Sequence, residues 1–90
     1  MEYNVVTIAK VMPVSPETDR EELKKDIEGK IPHNMKLHKI EEEPIAFGLV
    51  ALNVFVLLND AEGGVEDIEK RIREINDVSE VDIVDVRRLL

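Results

Sequence analysis

A four-stranded antiparallel sheet with two helices on one face, the ferredoxin-like β-α-β-β-α-β sandwich of the α+β class, is the fold this sequence predicts. Three observations carry that reading. β-branched runs and helical periodicities alternate as strand, helix, strand, strand, helix, strand; the two β-α-β halves are of similar length; and each helical segment bears a single apolar stripe, enough to cover one face of a sheet. Ninety residues suit one domain spanning 1–90, long enough to bury roughly 60 to 65 per cent of the surface its unfolded chain exposes.

The first strand is read over Asn4 to Met12, where Val5, Val6, Thr7, Ile8 and Val11 are β-branched and Pro13 closes the run. The first helix starts at Thr18 or Asp19, each followed three residues later by a glutamate (Glu21, Glu22), the capping-box spacing. Leu23, Ile27 and Ile31 recur every fourth residue, and Gly29 and Pro32 are expected to stop the helix. A polar strand over Met35 to Glu42 suits a sheet edge, because Lys36, His38 and Lys39 discourage pairing with another chain.

Pro44 is expected to break that strand, and the third is read from Phe47 to Leu58. Its even positions Val50, Leu52, Val54, Val56 and Leu58 form an unbroken apolar face for the helices; Phe47, Leu49, Ala51, Phe55 and Leu57 point the other way, interrupted by Asn53. Asn59 to Gly64 has loop chemistry. The second helix carries Val65, Ile68, Ile72 and Ile75 on one stripe. In the last strand, Val78 to Val86, the apolar phase slips between Ile83 and Val84, which predicts a bulge or a twist near Ile83, and RRLL is read as a tail.

Composition excludes several kinds of function. Acidic residues outnumber basic ones 20 to 12, a net charge of −8, so binding to nucleic acid or an anionic membrane is not expected and a basic partner is favoured. The absence of cysteine removes disulfides, thiolate metal sites and thiol nucleophiles. No long apolar segment follows a basic leader, so a soluble, cytoplasmic protein is expected. Charged residues at 36 per cent, with neither Cys nor Trp, fit growth at high temperature.

Signals for chemistry are poor. His33 and His38 have no acid or nucleophile at a telling spacing and read as solvated surface histidines. Gly63-Gly64 matches no phosphate loop and reads as a hinge; Asn59, Asp60 and Glu62 lack the twelve-residue calcium pattern and read as a solvated turn. Glu41 to Glu43 read as a solvated rim that could also meet a basic partner. Among ferredoxin-like domains, RNA readers need sheet aromatics in a basic field, metal carriers a CxxC near the first loop, and acyl-phosphate hydrolases an anion cradle after the first strand, where this chain has MPVSP. No catalytic residue, metal site or cofactor is expected, and binding modules remain.

Two features stand out as binding sites. One is the outward apolar side of the third strand, above all Phe47, which sits beside Gly48 and behind Pro44 where a ring can project as an anchor. The other is VDVRRLL, two arginines ending an acidic chain, against the plainer reading of solubilising charge. A small regulatory or ligand-binding module that dimerises through its open sheet face is the alternative these residues leave standing.

PIAFGLVAL, NDAEGG, the closing DVRRLL and the opening KVMPVSP together resemble archaeal translation elongation factor 1-beta, the family of guanine-nucleotide exchange factors for elongation factor 1-alpha. The resemblance covers essentially the whole chain. Its most specific piece is PIAFG ahead of a long apolar strand, similar to the PIGFG-type motif of the eukaryotic exchange domains. It implies that Phe47 enters a pocket on the partner's second domain. It also implies that Arg88, followed by Leu89, stands for the basic residue near the family's C-terminus, usually a lysine, that reaches the partner's magnesium and phosphate region. An arginine is bulkier and forked and one further residue follows it, so Arg87 is the alternative. The implied partner-binding set is Pro44, Phe47, Gly48, Arg87, Arg88 and Leu89, on a monomer that loads GTP onto elongation factor 1-alpha without making or breaking a bond. The implied factor also lacks the long N-terminal region of the eukaryotic proteins.

Overall fold

The computed structural model describes residues 3–59 and 64–89; the expected loop positions Asp60 to Gly63 and the terminal Leu90 lie outside them. β1 (Val5–Pro13), α1 (Arg20–Lys30), β2 (Lys36–Pro44), β3 (Val50–Leu58), α2 (Val65–Arg73) and β4 (Val78–Arg88) follow in that order. The strands form one sheet in the order β2-β3-β1-β4, and every neighbouring pair is antiparallel. This is the ferredoxin-like α+β plan.

Burial of one sheet face explains the arrangement. Leu52, Val54, Val56 and Leu58 of β3 are at most 1 % exposed. They share a face with Val5, Ala9 and Val11 of β1, and Leu23 and Ile27 of α1 with Ile68 and Ile72 of α2 close over it. Fully burying each such side chain stabilises the fold by about 1.5–3 kcal/mol. Thr7 lies on the same face, opposite Val56 and Val86. It is completely buried, and its hydroxyl has no hydrogen-bond partner among the described residues.

Local chemistry sets the ends of the elements. Asp19, not Thr18, caps α1: its carboxylate accepts the Glu22 N–H at 3.2 Å. Gly29 does not stop the helix, which runs through Lys30; Ile31 turns extended (φ −72, ψ 120) because it precedes Pro32. Pro44 likewise remains inside its strand as the last residue of β2, paired with Val50. A proline is tolerated there because β2 is an edge strand. β3 begins at Val50, so Phe47 and Leu49 belong to the preceding turn and not to the strand. Gly64 caps α2 at φ 124, and a Cβ on it would overlap the Met35 methyl.

Three register shifts interrupt the ladders, one of them at the end of the β1–β4 pair, where Met12 faces Glu80 and Pro13 faces Val78. The β1–β4 register passes from Ile8 opposite Asp85 to Ala9 opposite Ile83, leaving Val84 as the extra residue. This is the irregularity that the apolar phase slip foretold. On the other edge, Leu37 faces Val56 and Lys39 faces Phe55, so His38 is the extra residue of β2. β4 continues to Arg88 and takes both arginines into the sheet, where a free tail was expected.

Replacing Thr7 by valine exchanges an unpaired buried hydroxyl for a methyl. It is expected to raise stability by about 1 kcal/mol, moving the thermal midpoint up by roughly 4–8 °C, as calorimetry would show. The two described glycines on the helices should respond oppositely to alanine. Gly64→Ala forces a side chain into the left-handed region and should lower stability by about 1–3 kcal/mol. Gly29→Ala, with nothing within 4 Å of the new Cβ, should raise it by up to about 1 kcal/mol, and urea denaturation of both variants would measure the contrast.

Candidate functional site

The connection from β2 to β3 is a four-residue turn closed by the Leu49 N–H donating to the Ala46 carbonyl at 3.3 Å, backed by the Ile45 N–H to the Leu49 carbonyl at 2.8 Å. Its central residues, Phe47 (φ 63, ψ 28) and Gly48 (φ 76), both have positive φ, which is type I′ geometry. That turn matches the twist of the strands it joins and ordinarily takes Asn or Asp followed by Gly. A phenylalanine at its first central position pays a steric penalty of about 1–2 kcal/mol. Its ring gains no burial in return, being 92 % exposed. Nothing within the chain rewards an aromatic there.

The arginine pair lies at the other end of the sheet. Arg88 faces Val5 and Arg87 faces Val6 at the start of β1, whereas the Phe47 turn lies past Leu52, beyond the Val11 end of the β1–β3 ladder. Nine residues of β1 at ~3.3 Å each separate the two regions by about 25–30 Å, most of the 38 Å long axis of the molecule. Strand alternation sends the two arginines to opposite faces. Arg87 shares the helix-free face with Val6 and pairs with Asp85, while Arg88 shares the helix-bearing face with Val5. Leu89 follows, 42 % exposed, its N–H donating to the Asn4 carbonyl at 3.0 Å.

The three glutamates before the turn are engaged within the chain. Glu41 pairs with Lys39 at 3.2 Å, and Glu43 accepts from the Asn53 amide at 2.9 Å and lies 3.8 Å from Lys10. Glu42 joins β2 to α1 through Lys24 at 2.9 Å and Arg20 at 3.2 Å. The Lys24 hydrogen bond holds the Glu42 carboxyl below the usual range, and the Glu42 and Glu21 hydrogen bonds hold the Lys24 ammonium above its own. The carboxylate's contribution is thus present above the unfolded glutamate value and fades as pH falls through the lowered folded value. The ammonium's is present below the unfolded lysine value and fades as pH rises through the raised one. These are exposed pairs and each is worth little.

On the helix-free face, Ala51, Asn53, Phe55 and Leu57 of β3 alternate with the core residues as the periodicity required, but the apolar surface is narrower than expected. Ala51 is fully buried, and the Lys39 ammonium sits 4.6 Å from the centre of the Phe55 ring. What remains open is a shallow groove of about 420 Å³ lined by Val6, His38, Lys39, Phe55, Leu57 and Leu89. The sequence alone did not point to Val6 or His38 here; β1 and the β2 bulge bring them in through strand register. Among the described residues no group of three or more His, Cys, Asp or Glu is placed to hold a metal ion, and no helix is long and apolar enough to cross a membrane.

A ring displayed from a left-handed turn at one end and arginines beside an apolar groove at the other are features that suit a small domain to binding another macromolecule. Comparison with known proteins specifies the kind. Residues 6–89 match the model of the EF-1 guanine nucleotide exchange domain, and the chain belongs to that family. It is 56% identical over 87 residues to elongation factor 1-beta of Methanothermobacter thermautotrophicus, covering 97% of this chain and 98% of that protein. It is 50% identical over 86 residues to the protein of the same name from Methanobrevibacter smithii, covering 96% and 97%. With elongation factor 1-beta of Pyrococcus furiosus it shares 38% over 89 residues, 98% of each. The fold and family expected from the residues are the ones found, and exchange domains act by binding rather than by bond chemistry.

The conformation of Phe47 sets stability against display. Phe47→Asn installs the Asn-Gly pair that the turn favours and should raise stability by about 1 kcal/mol, read as a higher thermal midpoint, although it removes the most exposed large apolar side chain described.

Proposed function

We propose that this chain promotes GDP release from, and GTP loading on, elongation factor 1-alpha during protein synthesis in the cytoplasm, acting as a monomeric single domain of residues 1–90. The observation that carries the reading is Phe47, 92 % exposed in a left-handed backbone conformation, with Pro44 and Gly48 shaping the turn that presents it. A rigid aromatic held clear of its own core is suited to filling a pocket on a partner. Anchored there, it fixes the orientation of a domain whose far end carries Arg87, Arg88 and Leu89.

A GTPase holds GDP through magnesium and phosphate contacts. A guanidinium brought beside that site competes electrostatically with the metal, and Arg88 is the side chain assigned to this role, with Arg87 as the other candidate. The two contacts act as one bivalent grip across about 25–30 Å. Because the factor binds the nucleotide-free partner more tightly, it and the nucleotide each weaken the other's hold by the same factor. The net charge of −8 suits approach to a partner basic enough to carry tRNA, and the nucleic acid itself need not be touched.

Release of a fluorescent GDP analogue from elongation factor 1-alpha tests each role. Phe47→Ala is expected to raise the half-saturating concentration of the factor by roughly 30-fold, the loss of an aromatic hot spot of about 2 kcal/mol. Arg88→Ala is expected to lower the maximal release rate with little change in half-saturation. Unchanged kinetics in both variants would refute the assignment, and the rate defect appearing in Arg87→Ala alone would transfer the role to that residue.

A further inference from the structure

Strand register orders the helix-free face into four rows. Lys36, Leu57, Val6 and Arg87 lie side by side in the first, and Lys39, Phe55, Ile8 and Asp85 in the second. Glu41, Asn53, Lys10 and Asp82 form the third; Glu43 with Ala51, and Met12 with Glu80, mark the fourth. The third row is polar at its centre, Asn53 and Lys10, and separates the apolar pair Ala51 and Met12 of the fourth, where Ala51 is fully buried, from the open apolar centres of the first two rows. In those two rows the flanks are cationic: Lys36 and Lys39 on β2, Arg87 on β4. Asp85, the one acid in those rows, is paired with Arg87. In the last two rows the flanks are Glu41, Glu43, Asp82 and Glu80. A chain of net charge −8 has gathered cations around its open apolar groove and placed acids away from it.

We infer that this groove is a docking site for the same GTPase, receiving a segment whose apolar side chains are flanked by carboxylates. The inference rests on the exchange reading and extends it from a terminal arginine to a surface. Continuity supports the choice of occupant, since Leu89 lines the groove and Arg87 lies beside its Val6, and both belong to the chain end assigned to the nucleotide site. Charge supports it too: an apolar floor rimmed by Lys36, Lys39 and Arg87 rejects a basic strip and accepts an acidic one. The Lys39 ammonium sits over the half-buried Phe55 ring, and its partner Glu41 is itself exposed, so a partner carboxylate can take that ammonium and leave this side of the ring free for apolar contact.

The experiment measures GDP release from elongation factor 1-alpha by the unmutated chain, by the double charge reversal Lys36→Glu with Lys39→Glu, by Leu89→Ser, and by a control reversing two helix-face cations, Lys25→Glu with Lys70→Glu. All these positions are at the surface, and thermal melts verify folding. The groove variants are expected to raise the half-saturating concentration at least tenfold, and the control less than twofold, although both double variants change the net charge equally. Release that is accelerated by the unmutated chain and equally well by the groove variants overturns the groove and leaves the exchange reading standing. Equal weakening by groove variants and control assigns the effect to net charge and also overturns it. If the unmutated chain accelerates nothing, the exchange reading fails and the groove with it. A dimer at micromolar concentration by light scattering, dissociated by Leu89→Ser, gives the groove to a second copy and overturns the proposal.

Discussion

The antiparallel pairing of β1 with β3 is the constraint on which the rest depends. Both are central strands, and their register, Val5 opposite Leu58 through Val11 opposite Leu52, aligns one row of side chains for the helices and another for solvent. A slip of one residue would exchange the faces, placing Phe55 and Leu57 under the helices and exposing Val54 and Val56. The unbroken apolar series at the even positions of β3 forbids that slip, because any other alignment strands several buried side chains in water. Once this pair is placed, β2 and β4 can only add at the edges, and the two ends of the molecule acquire their different contents.

Those ends are built on different principles. At the β2–β3 turn the chain holds a bulky residue in a conformation glycine or asparagine would adopt more readily, and the ring finds no shelter. At the other end the arginines are part of a hydrogen-bonded strand and are aimed by its alternation. The acids between them are mostly occupied: Glu42 ties α1 to β2, and Glu41 and Glu43 answer cations on the open face. The protein's negative charge is therefore partly internal framework, and local sign matters more than the total.

Much of this was legible in the sequence, for identifiable reasons. Period-two and period-four apolar spacing revealed the strands, helices and layer order, because burial imposes it directly. The phase slip at Ile83 revealed the β4 bulge for the same reason. Reading was poorer where backbone geometry rather than burial decides. Gly29 looked like a helix stop, yet exposed helical glycine is only mildly unfavourable and the helix passed through it. Pro44 looked like a strand breaker, yet an edge position forgives a missing N–H. The apolar run makes Phe47 look like the start of β3, whereas Phe-Gly holds the two central positions of a tight turn, a pattern masked because the usual first residue is small and polar. The cationic rim of the groove was out of reach altogether: Lys36, Lys39 and Arg87 come from strands that are distant in sequence and meet only through their ladders to β3 and β1.

The extra residue at Val84 has a consequence for the chain's last residues. Side-chain direction along a strand is a matter of parity, and each unpaired residue inverts it for everything downstream. With Val84 bulged out, Arg87 falls on the bare side of the sheet and Arg88 on the side that carries the helices. Shortening β4 by that one residue would send each guanidinium through the sheet plane to the opposite side, with the composition of the terminus unchanged. Counting residues back from the C-terminus is thus an unsafe way to match basic positions among related chains; the count that preserves direction starts from the bulge.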